Sequence, residues 1–231
     1  MPPCSYEVYI PCMGAAVESR TLVDNVLGAL RWDARIDATR VDVGIIDGTA
    51  VVKGVVHTLR ERGWCDEIIK RMRGITAVRN ELEVRLTIGD YRTDATLHRV
   101  IVELFDALAA LPPERPHVTV HGGWVTLRGS VRRRFQKRLA EQAVSEVAGV
   151  RGITNFITID GNDRIDKDVK AQLDSALRRQ LPDCSIRIRL EESRLVLRGT
   201  VHTCAERDDV LDLAWCASGV TAIEDRLVVR P

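Results

Sequence analysis

Residues 132–138 read RRRFQKR, and by type and spacing they are the side chains best suited to bind a ligand or partner. Five cations, Arg132, Arg133, Arg134, Lys137 and Arg138, surround Phe135 where the pattern predicts the start of a helix. Cations there face the positive end of the helix dipole, at about 0.3–1 kcal/mol each when exposed. An anionic partner would offset that cost and would also meet the free N–H groups of the first turn. Phospholipid headgroups, nucleic-acid phosphates and an acidic protein face share this chemistry, while a solvated charge run needs no partner. The corresponding helix further on, TCAERDDVLDLAWC, carries Glu206, Asp208, Asp209 and Asp212 instead. A basic and an acidic version of one surface can pair within the chain, or head to tail between molecules.

Chemistry of other kinds finds little support. There is no GxSxG, HExxH, phosphate-binding loop or dinucleotide glycine pattern. Carboxylates are scattered over polar faces rather than paired, so no enzyme, catalytic residue, cofactor or metal site is expected. His57 and His202 share one position, three after a glycine, but Arg132 fills it in between, and both read as structural. Cys4, Cys12, Cys65, Cys184, Cys204 and Cys216 form no CxxC and do not recur in step, which suits free thiols in a reducing cytoplasm. No run of 18 apolar residues predicts a membrane span. The opening MPPCSYEVYIPCMG lacks the basic and apolar regions of a secretory signal, and residues 1–17 read as a mobile leader.

These residues are positioned by a repeat. Gly54, Gly129 and Gly199 each end an apolar, β-branched run, with a turn six residues earlier at Asp47-Gly48, Gly122-Gly123 or Glu192-Ser193. Twenty residues later come Gly74, Gly149 and Gly219, and six beyond those stand Asn80, Asn155 and Asp225. Offsets repeated at this length indicate tandem small domains. Each unit reads as helix, two-stranded hairpin, second helix and last strand. The fold class is therefore α+β: three α-β-β-α-β units, each a three-stranded sheet against two helices, over 18–91, 92–161 and 162–231.

Asp47-Gly48 and Gly122-Gly123 suit two-residue turns with positive φ, whereas Glu192-Ser193 points to a longer loop. Thr58-x-x-Glu61 and Thr203-x-x-Glu206 have capping-box spacing, and the middle helix has no such pair. Leu139, Ala143 and Val147 at i, i+4, i+8 predict a stripe buried against the sheet. Trp32 is expected to cover a core edge. Net charge over the chain is +1; residues 20–91 carry +1, 92–160 carry +3 and 163–231 carry −1.

GGWVTLRGSV with AGVRGITNFI, RLVLRGTVHTCAER with SGVTAIEDRLVV, and TAVVKGVVHTLRERGW with RGITAVRNELEV resemble BON domains. The nearest form is the bacterial arrangement of three tandem BON domains without a signal peptide. The resemblance implies a non-catalytic interaction module, linked in that family to the envelope, osmotic stress and phospholipid. A protein partner or self-association is the leading expectation, with peripheral binding to anionic lipid through the basic run as the alternative. Nucleic acid is disfavoured because the acidic third unit would repel phosphates. The expected location is cytoplasmic, or peripheral at the inner face of the membrane.

Overall fold

The computed structural model describes residues 13–160, 169–182, 184–191, 194–217, 220 and 222–230. The first unit comprises α1 (Met13–Trp32), β1 (Val41–Ile46), β2 (Thr49–Val56), α2 (Leu59–Lys70) and β3 (Ala77–Val84). The second comprises α3 (Asp94–Ala107), β4 (His117–His121), β5 (Trp124–Val131), α4 (Arg134–Ser145) and β6 (Gly152–Ile159). In the third are α5 (Val169–Gln180), β7 (Ser185–Glu191), β8 (Arg194–Val201), α6 (Cys204–Cys216) and β9 (Ala222–Val229).

Each sheet is mixed. The central strand pairs antiparallel with the strand before it and, after the second helix has crossed over, parallel with the last. Alternation then puts one face of each sheet on its helices and leaves the other open. In the second unit Val118, Val125, Leu127 and Ile157 point inward and meet Leu97, Ile101 and Phe105 of α3.

Asp47 and Gly48 (φ +49° and +74°) and Gly122 and Gly123 (φ +57° and +78°) form the turns expected of them. Pairing in the third hairpin runs to Glu191↔Arg194, leaving two residues rather than a longer loop; those two lie outside the described residues, as does Gly219. The strand-end glycines are needed sterically. At Gly54 (φ +127°) an added Cβ would stand 1.9 Å from Arg40 O, and at Gly199 (φ +153°) 2.0 Å from Ser185 O.

Four expectations need correction. α1 begins at Met13, so only residues 1–12 of the supposed leader lie outside the described residues. Trp32 covers nothing and is 92% exposed. Toward the sheet, α4 presents Ala140 and Val144, both fully buried, while Leu139, Ala143 and Val147 turn sideways toward α3. The helix rotates because Ala140 and Val144 form an i, i+4 pair of their own, small enough to lie close on the strands. Finally, α4 has half of a capping box: Gln136 Oε1 accepts from the backbone N–H of both Arg132 and Arg133 at 3.1 Å.

Candidate functional site

The second helices of the three units meet head to tail. At the start of α2, Leu59 packs on the second unit's core, and Arg60 lies 3.8 Å from Glu146 beyond the end of α4. At the start of α4, the Arg134 guanidinium lies 4.4 Å from the ring centre of Trp215 near the end of α6, and Arg138 pairs with Asp212. The start of α6 returns to the first unit: Cys204 is buried in that unit's core and its Sγ donates to Ile75 O at 3.3 Å. Nearby, Lys70 Nζ donates to Asp208 Oδ2 at 2.8 Å. Leu59, Arg134 and Cys204 occupy the same repeat position, five residues after Gly54, Gly129 and Gly199. One position thus closes three junctions into a ring, with an aliphatic, a cationic and a thiol side chain in turn.

The arrangement suits the backbone as well as the side chains. Each helix start, the positive end of its dipole, approaches the negative end of a neighbour. α6 has neighbours on two sides, α2 and α4, and among its residues only Asp209 and Cys216 are exposed. That is why its sequence lacks a clear polar face.

The basic run is divided by this packing. Arg134 is half-buried, with Nε lacking a hydrogen-bond partner; burial, and then Arg138, pull its pKa below the ordinary value. Lys137 Nζ donates to Ile157 O at 2.7 Å. Its repeat equivalents also clip the second helix to the last strand: Arg62 Nη2 donates to Asn80 O at 3.0 Å and Arg207 Nε to Asp225 Oδ2 at 2.7 Å. Asn80, Asn155 and Asp225 complete these clips, each accepting a backbone N–H two residues on. Arg132, Arg133 and Phe135 remain exposed. Arg138 is exposed as well but is paired with Asp212, so three of the six face outward and three are engaged in packing or pairing within the chain.

Leu139, Ala143 and Val147 line a cleft of about 610 Å³ between α3 and α4, with Val100 and Leu104 opposite and Arg92 and Glu146 among its polar lining residues. Sequence reading missed it by assigning that stripe to the core. Among the described residues no three His, Cys, Asp or Glu side chains are grouped to hold a metal ion. His57 Nδ1 lies 3.3 Å from Arg85 O, and His202 lends its backbone N–H to Glu206. The pKa of the Cys65 thiol is pushed up to about 12, first by burial and then by Glu61, which keeps it protonated and unreactive.

A family model described as BON domain matches residues 19–85, 93–161 and 162–231. The chain belongs to the BON-domain family. Its three BON domains lie in tandem along the chain. No curated protein sequence matches the chain. Among solved structures, the C-terminal domain of CdsD, a structural protein of the type III secretion system of Chlamydia trachomatis, is 13% identical, covering 91% of this chain and 98% of that one at a TM-score of 0.26. The PrgH periplasmic domain is 12% identical, covering 83% and 95% at a TM-score of 0.23. Superpositions this loose carry no functional argument.

Proposed function

We propose that this BON triplet is a scaffold whose three domains act as one rigid body and present their outward faces to protein partners. The observation that carries this reading is the closed set of junctions among α2, α4 and α6. Side chains that could have served as a binding surface on isolated domains are used to hold the domains in fixed relation. A link to envelope or osmotic stress is supported by the family resemblance alone, and a cytoplasmic setting by cysteines that form no CxxC and do not recur in step. Small-angle scattering and limited proteolysis test the rigid body. A compact particle uncut between domains supports it, and three independently tumbling domains would end it.

Exposure of Arg132, Arg133 and Phe135 supports a second reading, peripheral attachment to anionic phospholipid. Each cation would add about 1 kcal/mol near the surface, so binding would be reversible and lost at high salt. Co-sedimentation with anionic and neutral liposomes, for the parent and for Arg132→Gln/Arg133→Gln, separates the readings. Loss in the variant favours lipid; equal binding by both removes these side chains.

A further inference from the structure

The open face of the second domain's sheet differs in kind from the other two. Alternation and register place His117, Thr119 and His121 of β4, Trp124, Thr126, Arg128 and Ser130 of β5, and Gly152, Thr154, Phe156 and Thr158 of β6 on this face. None of them is acidic. Trp124 is 49% and Phe156 57% exposed, two large rings uncovered on one sheet face.

Both rings are held rather than loose. A Cβ added to Gly152 would lie 2.4 Å from Trp124 Cζ3, so the indole lies flat against that glycine. The indole Nε1 donates to Thr154 Oγ1 at 2.8 Å, fixing the ring while its outer face stays in water. Across the same two strands the Arg128 guanidinium lies 5.5 Å from the centre of the Phe156 ring. The repeat supplies a control. Where the second domain has Trp124, Gly152, Arg128 and Phe156, the first has Thr49, Ala77, Lys53 and Glu81, and Lys53 lies 3.6 Å from Glu81. The third has Arg194, Ala222, Arg198 and Arg226. Indole and glycine therefore occur together in one domain only, and there an aromatic ring replaces the acid that pairs with the cation.

We infer that this face binds single-stranded nucleic acid, with bases stacked on Trp124 and Phe156 and phosphate attracted by Arg128. Flat, pinned rings on an open sheet suit unpaired bases and cannot enter a duplex groove. Gly152 and Phe156 are four residues apart on one strand, roughly 13 Å at about 3.3 Å per residue. That exceeds the spacing of about 3.4 Å between stacked bases, so the strand must be extended and unstacked. The threonines between the rings offer hydroxyls without adding negative charge. The site is separate from residues 132–138, and of the α6 acids that disfavoured nucleic acid in the sequence Asp208 is paired with Lys70 and Asp212 with Arg138, while Asp209 stays exposed.

The test is fluorescence anisotropy with labelled oligo(dT), oligo(rU) and a DNA duplex at about 50 mM salt, beside a chitin oligosaccharide read by tryptophan fluorescence. The full chain binds the single strands in preference to the duplex. Trp124→Ala and Phe156→Ala each weaken binding by about tenfold, Trp124→Phe retains most of it, and Lys53→Gln in the first domain leaves it unchanged. Absence of binding to both strands, equal affinity for duplex, or binding of the saccharide alone would overturn the inference. So would full affinity in Phe156→Ala, which leaves the Trp124–Gly152 contact intact and keeps the test valid if Trp124→Ala does not fold.

Discussion

Lys70 and Asp208 stand 138 positions apart in the chain, yet Lys70 Nζ donates to Asp208 Oδ2 at 2.8 Å. Lys70 also reaches Asp66, one helical turn back, at 2.9 Å. Burial alone would lower the lysine's pKa, but hydrogen bonds to the two carboxylates outweigh it and hold the value above the ordinary one. Because Asp66 remains, Asp208→Asn should cost about 1 kcal/mol or less. Asp208→Lys should do more, setting two cations together where the third domain docks on the first. Proteolysis between domains should accelerate in that variant and return to the parental rate in Lys70→Glu/Asp208→Lys.

Arg134 gives the opposite expectation. Its stacking on Trp215 contributes about 0.5–2 kcal/mol, while its half-buried charge lacks a hydrogen bond at Nε. Leu59 occupies the same position in the first domain and is compatible with its junction. Arg134→Leu should therefore change stability by less than about 1 kcal/mol. Trp215→Ala should cost about 3 kcal/mol by emptying the junction. Parallel urea unfolding of the two variants checks the contrast.

The fold was legible because its signals are backbone signals. A glycine with positive φ ends the central strand of every domain, and two-residue turns with positive φ and Thr-x-x-Glu caps are each seen in two of the three, whatever surface the domain carries. Junction residues were not legible, because the position that holds Leu59, Arg134 and Cys204 changes chemistry in each copy. Only alignment of the repeats would have exposed it. Arg132–Arg138 read as a single patch because adjacency in sequence says nothing about which way a helix turns. Lys137 could have been set aside: Arg62 and Arg207 show a cation at that place in every domain. The exposed sheet face passed unnoticed because alternation alone does not reveal that an aromatic ring stays uncovered.

The three strand-end glycines should respond unequally to alanine. At Gly54 and Gly199 the added Cβ meets a backbone carbonyl oxygen, of Arg40 just before β1 at 1.9 Å and of Ser185 at the start of β7 at 2.0 Å, and backbone cannot yield cheaply. At Gly129 the nearest atom, Pro116 Cα, is 3.5 Å away, leaving only the strain of φ +129°. Gly129→Ala should cost about 1–3 kcal/mol, and the other two clearly more. A larger loss in melting temperature for Gly54→Ala than for Gly129→Ala is the expected result; equal losses would contradict it.

Asp94 ties the start of α3 to the β4–β5 turn, accepting from Gly123 N at 2.9 Å and Gly122 N at 2.8 Å. These two N–H groups, Gly123 first, hold its pKa below the usual carboxylate value. The folded pKa is thus lower than the unfolded one. Its stabilisation is complete above the unfolded value of about 3.9 and disappears as pH falls through the folded value. Asp94→Asn should be less stable than the parent at neutral pH. Its stability should also fall less steeply on acidification below about pH 5, as measured by urea midpoints across that range.

Glu61, Gln136 and Glu206 hold one repeat position but face different partners. Glu61 is 5% exposed and accepts from Asp37 N at 2.7 Å and His57 N at 2.8 Å, so its loop supplies a donor. Gln136 accepts from Arg132 N and Arg133 N but donates Nε2 to Ala110 O at 2.8 Å, so its loop supplies an acceptor. Exchanging the groups should fail in both directions. Glu61→Gln would turn an amide NH₂ toward a buried N–H and should cost about 2–3 kcal/mol. Gln136→Glu would gain about 0.3–1 kcal/mol from a carboxylate at a helix start. It would lose the bond to Ala110 O and set a negative charge against that oxygen, for a net loss of about 1 kcal/mol. The sign with pH separates this account from a packing effect. In Gln136→Glu, protonation gives the introduced carboxyl a hydroxyl that can donate to Ala110 O, so the deficit of this variant should shrink at about pH 4. The amide introduced by Glu61→Gln does not titrate, so that variant gains no matching hydrogen bond in acid. A Gln136→Glu deficit that is unchanged or larger in acid would refute the assignment of Ala110 O as its partner.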